Sequence, residues 1–203
     1  MGFPIRYFFQ IAIFNSVNYN ESIFQKAVIP MELKEIYFAA GCFWGTERLF
    51  QSIRGVMDTE CGFANGKREI SSPTYQQVCT GDTDCRETVY VRYDPSQVTL
   101  KQLLKAYFRV VDPTLLNRQG NDVGTQYQAG IYYADDASRD IILAFCEREA
   151  AKYPVFTVEV CPLSRFCPAE EYHQNYLLKN PGGYCHISPA LFGSIDEFIR
   201  REP

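Results

Sequence analysis

An apolar stripe with helical spacing is the clearest pattern in the chain. Its members are Leu100, Leu103, Leu104, Tyr107, Phe108 and Val111. Apolar residues that recur every three or four positions form one face of a helix, so the stripe predicts a helix over 99–111. Thr99 and Gln102 stand at the spacing of a capping box, which marks the start of that helix.

A second pattern alternates apolar and polar residues, and it predicts strands. In 87–95 the side chains of Val89, Val91 and Tyr93 share one side, and a turn pair ends the segment. Similar patterns predict strands at 35–41, 128–133 and 156–160 and helices at 45–53, 137–151 and 169–180. Strands that alternate with helices make a two-layer α/β sandwich, and 203 residues suffice for one compact domain.

Composition narrows the class of protein. A net charge of −4 and a pI near 5.3 argue against nucleic-acid binding, because phosphate recognition needs a basic face. No apolar run approaches the roughly 18–20 residues of a membrane span. Residues 1–34 lack the basic start and long apolar run of a signal peptide, so we expect a cytoplasmic protein with an N-terminal extension of unknown role.

The chain has eight cysteines, at positions 42, 61, 79, 85, 146, 161, 167 and 185. An even count suggests a disulfide framework in a small secreted protein, but a chain of this size can build its core without one. Cys79 and Cys85 have five residues between them, and so do Cys161 and Cys167. These two pairs leave open a four-cysteine zinc site, although such sites usually have tighter spacing.

Cys42 lies in the segment GCFWG, where a strand is expected to end and a helix to begin. The unpaired N–H groups of a helix start would stabilise a thiolate, which predicts a lowered pKa for Cys42. Trp44 is the only tryptophan, and beside Phe43 it would make a wall for a small apolar group if its N–H found a partner. A buried structural cysteine is the alternative interpretation.

Glu87 shares strand parity with Val89 and Val91, so its side chain is expected on the same apolar face. A carboxyl group there would be desolvated, its pKa would rise, and it would suit a general acid. In the alternative interpretation, Glu87 begins the strand and reaches water. The pattern alone leaves both open.

Two further segments are rich in polar chemistry. The stretch 112–127 is long for a compact domain, and such loops are usually functional or disordered. In it Asp122 offers an acceptor and Tyr127 a hydroxyl group, as Tyr75 does earlier in the chain. Near the end, Cys185 follows a Pro-Gly-Gly turn, so it lies on a segment that could move.

Several segments resemble peptide methionine sulfoxide reductase A. They are GCFWGTE, PTYQQVCTG, ETVYVRYDP, RQGNDVGTQYQAGIYY and AEEYHQNYLLKNPGGYCHI. The resemblance implies an α+β domain over 35–187, with a ferredoxin-like core and extensive coil, and leaves 188–203 as a C-terminal tail. It implies these site residues: Cys42 as nucleophile, Glu87 as acid, Phe43 and Trp44 for the substrate methyl group, Tyr75, Asp122 and Tyr127 for the polar side, and Cys185 as resolving cysteine.

The same resemblance implies a reaction. The S epimer of methionine sulfoxide, free or in proteins, is reduced to methionine, and Cys42 becomes a sulfenic acid. Cys185 then closes a Cys42–Cys185 disulfide, for which thioredoxin is the implied reductant. No cofactor and no metal are implied, and we expect a monomer.

The sequence departs from the family pattern near Glu87 and at Phe63, and two other functions remain open. Asp84, Cys85 and Arg86 replace a frequent Gly-His-Ala before Glu87, and Phe63 replaces a common tyrosine. Cys85 could therefore compete as a redox partner. A cysteine hydrolase, with one of the two histidines (173 and 186) as base, and a zinc or redox-sensing module remain as alternatives.

Overall fold

Residues 32–201, which the computed structural model describes, form eight strands and seven helices. The strands are β1 (Lys34–Ala39), β2 (Val56–Asn65), β3 (Cys85–Tyr93), β4 (Arg118–Gln119), β5 (Asp122–Val123), β6 (Gly130–Tyr133), β7 (Glu159–Pro162) and β8 (Phe166–Pro168). The helices are α1 (Phe43–Gln51), α2 (Tyr75–Cys79), α3 (Leu100–Val110), α4 (Asp136–Ala150), α5 (Tyr176–Lys179), α6 (Pro189–Phe192) and α7 (Ile195–Arg200). The predicted N-terminal extension lies almost wholly outside the described residues.

Six strands form one mixed sheet in the order β7-β6-β1-β3-β2-β8. Neighbouring strands are antiparallel except β6 and β7, which run parallel. The short strands β4 and β5 pair with each other in the long polar segment 112–127. Residues 32–201 therefore form a single mixed α/β domain, as the alternation of elements predicts.

Side chains of β1 alternate between two apolar clusters. Ile36 and Phe38 belong to the larger core, which lies between the sheet and helices that include α1 and α3. The ring of Phe38 stacks on Phe50 of α1 with the centroids 4.6 Å apart. Tyr37 belongs to a smaller cluster on the opposite face. The larger core anchors α1 on the sheet, and this places the amino end of α1 beside β3.

The strongest sequence patterns are confirmed. Helix α3 occupies the predicted segment, and Thr99 and Gln102 form the capping box through both reciprocal hydrogen bonds. Strands β2 and β8 and helix α2 were not predicted. In the first half of β2, residues 56–60 are only partly buried or are exposed. This half therefore lacks the alternation of apolar and polar residues by which a strand is predicted.

The prediction of one helix over 169–180 is wrong. Residues Glu171–His173 form a 3₁₀ turn, and α5 begins only at Tyr176. Between them Asn175 has a φ of +56°, a left-handed conformation that a continuous α-helix does not allow. The predicted strand at 156–160 is likewise displaced, since β7 begins at Glu159.

The last described residues pack against the domain. Ile195 and Ile199 of α7 are buried in the larger core. Arg200 donates hydrogen bonds to the backbone carbonyls of Gln97 and Arg54. Within 32–201, no helix is both long enough and apolar enough to cross a membrane.

Candidate active site

Cys42 caps the amino end of α1, at the corner predicted between strand and helix. The backbone N–H groups of Trp44 and Gly45 face its sulfur. Gly41 makes the corner with a φ of +81°, and a Cβ at this position would lie 2.6 Å from Cβ of Gln119. The chain therefore needs glycine at this corner, and Cys42 is buried within it.

Glu87 is 1 % exposed and lies on β3. Its Oε2 accepts a hydrogen bond of 3.0 Å from the backbone N–H of Phe43, and its Oε1 is buried without a partner among the described residues. Burial raises the pKa of Glu87 to about 8, although the Phe43 N–H acts to lower it. The interpretation in which Glu87 reaches water is therefore wrong, and the carboxyl group holds its proton at neutral pH.

The pKa of the Cys42 thiol is raised well above its usual value. Burial is the main cause and the charge of Glu87 adds to it, while the N–H groups of Trp44 and Gly45 act in the opposite direction. The prediction of a lowered pKa is wrong for the site without substrate, because desolvation of the thiolate outweighs the helix terminus. The thiol and the Glu87 carboxyl group therefore both carry protons at neutral pH.

Aromatic rings pack beside Cys42. The Trp44 indole stacks on Tyr176 with the centroids 3.8 Å apart, and its Nε1–H donates to Nδ1 of His173 at 3.1 Å. The expectation that the indole N–H needs a partner is thus confirmed. Phe43 is buried, with its ring 4.9 Å from His173 and 6.0 Å from Phe63.

Tyr75, Tyr127 and Asp122 all lie near Glu87. Burial raises the pKa of both tyrosines, and the charge of Glu87 is the next cause for each. Cys42 and Asp122 raise the pKa of Tyr127 further. The three polar side chains, predicted from two separate segments, are thus within electrostatic reach of Glu87, and their roles toward a substrate stay predictions.

Cys185 reaches the first turn of α1. A Cβ on Gly45 would lie 3.0 Å from its Sγ, and the N–H of Gly45 faces the sulfur of Cys42. Cys42 and Cys185 are both free thiols. The preceding residue, Tyr184, donates a hydrogen bond of 2.8 Å to Oδ1 of Asp122, which ties this segment to the β4–β5 hairpin.

The hydrolase alternative has no support in the contacts of the two histidines. Such an enzyme needs a histidine that takes the proton of its cysteine. Nδ1 of His173 already accepts from Trp44, and Nε2 of His173 and both ring nitrogens of His186 have no hydrogen-bond partner among the described residues. Neither histidine is therefore hydrogen-bonded to Cys42.

The zinc alternative has no support either. Cys161 lies on β7 and Cys167 on β8, which are the opposite edges of the sheet. Cys79 is exposed on α2, whereas Cys85 is buried on β3. Across residues 32–201, no group of three or more His, Cys, Asp or Glu side chains is arranged to hold a metal ion.

Two residues at the aromatic wall were not predicted as site residues. His173 and Tyr176 both contact Trp44, and they are three positions apart in the segment wrongly predicted as one helix. A pair of aromatic rings in a polar segment, within a motif of the resembled family, was the available signal. That signal did not show that both rings contact Trp44, which lies more than 120 positions earlier in the sequence.

Comparisons with known proteins show the family of the chain. A model of the family described as peptide methionine sulfoxide reductase matches residues 34–200, which extends beyond the quoted motifs into α7. The peptide methionine sulfoxide reductase MsrA of Clostridium acetobutylicum is 52 % identical over 161 residues, or 78 % of this chain and 98 % of that protein.

Solved structures give the same result. Mxr1 from Saccharomyces cerevisiae in reduced form has a TM-score of 0.73 at 39 % identity, covering 77 % of this chain and 90 % of that one. Mxr1 in complex with Trx2 has a TM-score of 0.50 at 25 % identity, covering 72 % of this chain and 86 % of that one. Because the family model spans nearly all described residues and the clostridial relative matches over almost its whole length, the chain belongs to the MsrA family of peptide methionine sulfoxide reductases.

Proposed function

We propose that the chain reduces methionine sulfoxide to methionine, with Cys42 as the nucleophile and Glu87 as the acid. The strongest support is the buried, protonated carboxyl group of Glu87, held 3.0 Å from the backbone N–H of Phe43, the residue after Cys42. A general acid must hold a proton at the working pH, and a pKa of about 8 meets that need. Its Oε1 has no other partner and is free to donate to a sulfoxide oxygen.

The first step consumes and releases no proton overall, which suits a site where Cys42 and Glu87 each carry one. A sulfoxide and a thiol become a sulfide and a sulfenic acid, so one oxygen moves to the Cys42 sulfur and no proton is gained or lost. Glu87 gives its proton to the sulfoxide oxygen as Cys42 attacks the sulfur, and it takes up the thiol proton. The raised pKa of Cys42 supports this order, because the thiol keeps its proton until the substrate arrives.

Substrate orientation follows from the two sides of the site. The rings of Phe43 and Trp44 offer an apolar wall for the S-methyl group, and Tyr75 and Tyr127 are near enough to Glu87 for its charge to raise their pKa values. Asp122 orders the polar edge. A methyl group and an oxygen held on opposite sides select one epimer at sulfur, and the family resemblance points to the S epimer.

Recycling uses the second cysteine. The Cys185 thiol attacks the Cys42 sulfenic acid, a Cys42–Cys185 disulfide forms, and water leaves with the thiol proton. A dithiol then reduces this disulfide and is itself oxidised. The close approach of Cys185 to Gly45 supports the pairing, and the complex of Mxr1 with Trx2 supports a thioredoxin as the reductant.

The finer description of the fold is also a proposal. Strands β6, β1, β3 and β2 are adjacent in that order and antiparallel, with α1 between β1 and β2 and α3 between β3 and β6. This is the arrangement of two interleaved βαβ units, which supports a ferredoxin-like core. Strands β7 and β8 then extend its two edges.

Reduction of resolved epimers of a dabsylated methionine sulfoxide, with dithiothreitol as reductant, tests the proposal. Cys42→Ser should abolish turnover while the far-ultraviolet circular dichroism stays unchanged, because serine does not supply a thiolate. Cys161→Ser is the matched control: it removes a half-buried thiol on β7, at one edge of the sheet, and should keep full activity. Activity of Cys42→Ser within tenfold of wild type would overturn the assignment, and equal reduction of both epimers would overturn the proposed selectivity.

A further inference from the structure

The single N–H group of the Trp44 indole is bound by His173. It donates to Nδ1 across 129 positions of sequence, at a distance of 3.1 Å, and His173 is 1 % exposed. An imidazole nitrogen that accepts a hydrogen bond carries no proton, so His173 is neutral and its hydrogen lies on Nε2. The contact therefore exists in only one protonation state and one tautomer of the histidine.

The other side of the imidazole faces Glu170. Nε2 of His173 lies 4.0 Å from Oε2 of Glu170, and both atoms are buried without a hydrogen-bond partner among the described residues. The second carboxylate oxygen, Oε1, accepts a hydrogen bond of 2.9 Å from the backbone N–H of Tyr75. One carboxylate thus adjoins both the imidazole behind Trp44 and the first residue of α2.

We propose that His173 is a positioning residue for the substrate site: its unprotonated Nδ1 holds the Trp44 indole at the angle that forms the methyl pocket, and Glu170 keeps the hydrogen on Nε2. This inference rests on the proposed function, in which Trp44 receives the substrate methyl group. Stacking on Tyr176 restrains the plane of the indole but leaves it free to slide and rotate within that plane. The hydrogen bond to His173 removes that freedom.

Protonation of His173 breaks this arrangement. A hydrogen on Nδ1 would point at the indole N–H, so two donors would face each other. Burial lowers the pKa of His173, and the nearby charge of Glu170 acts to raise it. The other titratable groups against the ring are Tyr75 and Tyr172, whose raised pKa values keep them neutral below pH 10. The contact is therefore intact at neutral pH and is lost as the pH falls through the pKa of His173.

The single tryptophan makes this contact directly observable. Emission of the wild-type protein, titrated from pH 7.5 to 4.5, should change with one midpoint below 6.5, because imidazolium quenches an adjacent indole. His173→Asn places an amide oxygen near the position of Nδ1 but cannot titrate, so the transition should disappear. His186→Asn removes the other histidine and should leave the transition in place.

Two carboxylate variants separate the role of Glu170 from general surface charge. Glu170→Gln should move the midpoint to lower pH, because the charge that favours imidazolium is gone. Glu171→Gln removes the neighbouring exposed carboxylate, which pairs with Lys179, and should leave the midpoint unchanged. Circular dichroism at each pH confirms that the protein remains folded.

Kinetics then distinguish a positioning role from a structural one. His173→Leu lacks the acceptor and should raise KM roughly tenfold, the usual worth of one net hydrogen bond, with kcat changed less than threefold. His173→Asn should restore KM to within about threefold of wild type. A fall in kcat with KM unchanged, or no rescue by asparagine, would overturn the positioning role.

Failure of this inference and failure of the proposed function give different results. Absence of a pH transition in the folded wild-type protein, or its persistence in His173→Asn, overturns the inference alone. N-acetylmethionine sulfoxide added to Cys42→Ser, which does not turn over, should change the emission of Trp44. An unchanged emission at saturating sulfoxide would instead remove Trp44 from the substrate site, and with it the proposed methyl pocket.

Discussion

Gly45→Ala offers a sharp test of the contact between α1 and the segment that carries Cys185. Gly45 lies in the first turn of α1 with an ordinary helical backbone, so alanine introduces no backbone strain. Its new methyl group would lie 3.0 Å from Sγ of Cys185 and 3.3 Å from Ile187 Cδ1. The substitution therefore pushes on Cys185, the proposed resolving cysteine, and leaves Glu87 untouched.

The size of the effect follows from these distances. Ordinary contacts between such atoms are roughly 3.5–4.0 Å, so Cys185 must move by about 0.5–1 Å. A displacement of ~1 Å in a reacting group can slow a reaction about 10²-fold, and we expect disulfide formation to slow by roughly 10–10². Alanine gains up to about 1 kcal/mol in helix propensity, so the melting temperature should not fall by more than a few degrees.

Rapid mixing of the reduced enzyme with excess sulfoxide, without reductant, measures the two steps separately. Methionine formation in the first turnover should keep its wild-type rate, while dimedone-reactive sulfenic acid should persist longer. Gly182→Ala is the matched control, because a Cβ there meets no atom within 4 Å. If Gly45→Ala forms its disulfide as fast as wild type, Cys185 does not approach Cys42 along this turn of α1.

Glu87→Gln should slow sulfoxide reduction by ~10²–10⁴, the usual worth of a positioned acid. The wild-type rate should fall as the pH rises through about 8, where the carboxyl group loses its proton. A wild-type rate that stays level to pH 9.5 would contradict this. The pKa of Glu87 is about 8 in the folded protein and 4.5 ordinarily, so between these values only the unfolded chain loses the proton. The free energy of unfolding therefore falls as the pH rises from 4.5 to about 8. Glu87→Gln should therefore melt higher than wild type at pH 9, and calorimetry that shows no such gain would rule out the desolvated carboxylate. Cys185→Ala should release about one methionine per enzyme and then stop with thioredoxin, while dithiothreitol restores part of the turnover. Normal thioredoxin turnover in that variant, together with its loss in Cys85→Ala, would transfer the resolving role to Cys85.

Local periodicity predicted those parts of the fold whose stabilising contacts are themselves local. The capping box of α3 depends on two residues three positions apart, and the structure contains it. Alternation along β3 depends only on the geometry of a strand, and of the two interpretations it allowed for Glu87 the buried one is confirmed. The motif resemblance extended this local reading to the residues of the site.

Elements whose conformation depends on distant partners were predicted poorly. The segment 169–180 has helical composition, but its chain turns at Asn175, whose backbone N–H donates to the buried carboxylate of Glu47 at 2.8 Å. That acceptor lies 128 positions away. Strand β8 has only three residues, and its pairing with β2 cannot be inferred from its own pattern.

By itself the sequence determined helices α1, α3 and α4, strands β1, β3 and β6 and the glycine corner before Cys42, because each depends on neighbours within a few positions. It left two interpretations open for Glu87, and burial in the folded chain decided between them. Only the tertiary structure decided that the pKa of Cys42 is raised, that His173 holds Trp44, and that Cys185 meets the first turn of α1. The physical reason is that desolvation and long-range contacts depend on every segment that packs around a group. These contributions are set by the folded chain and have no signature in the local pattern.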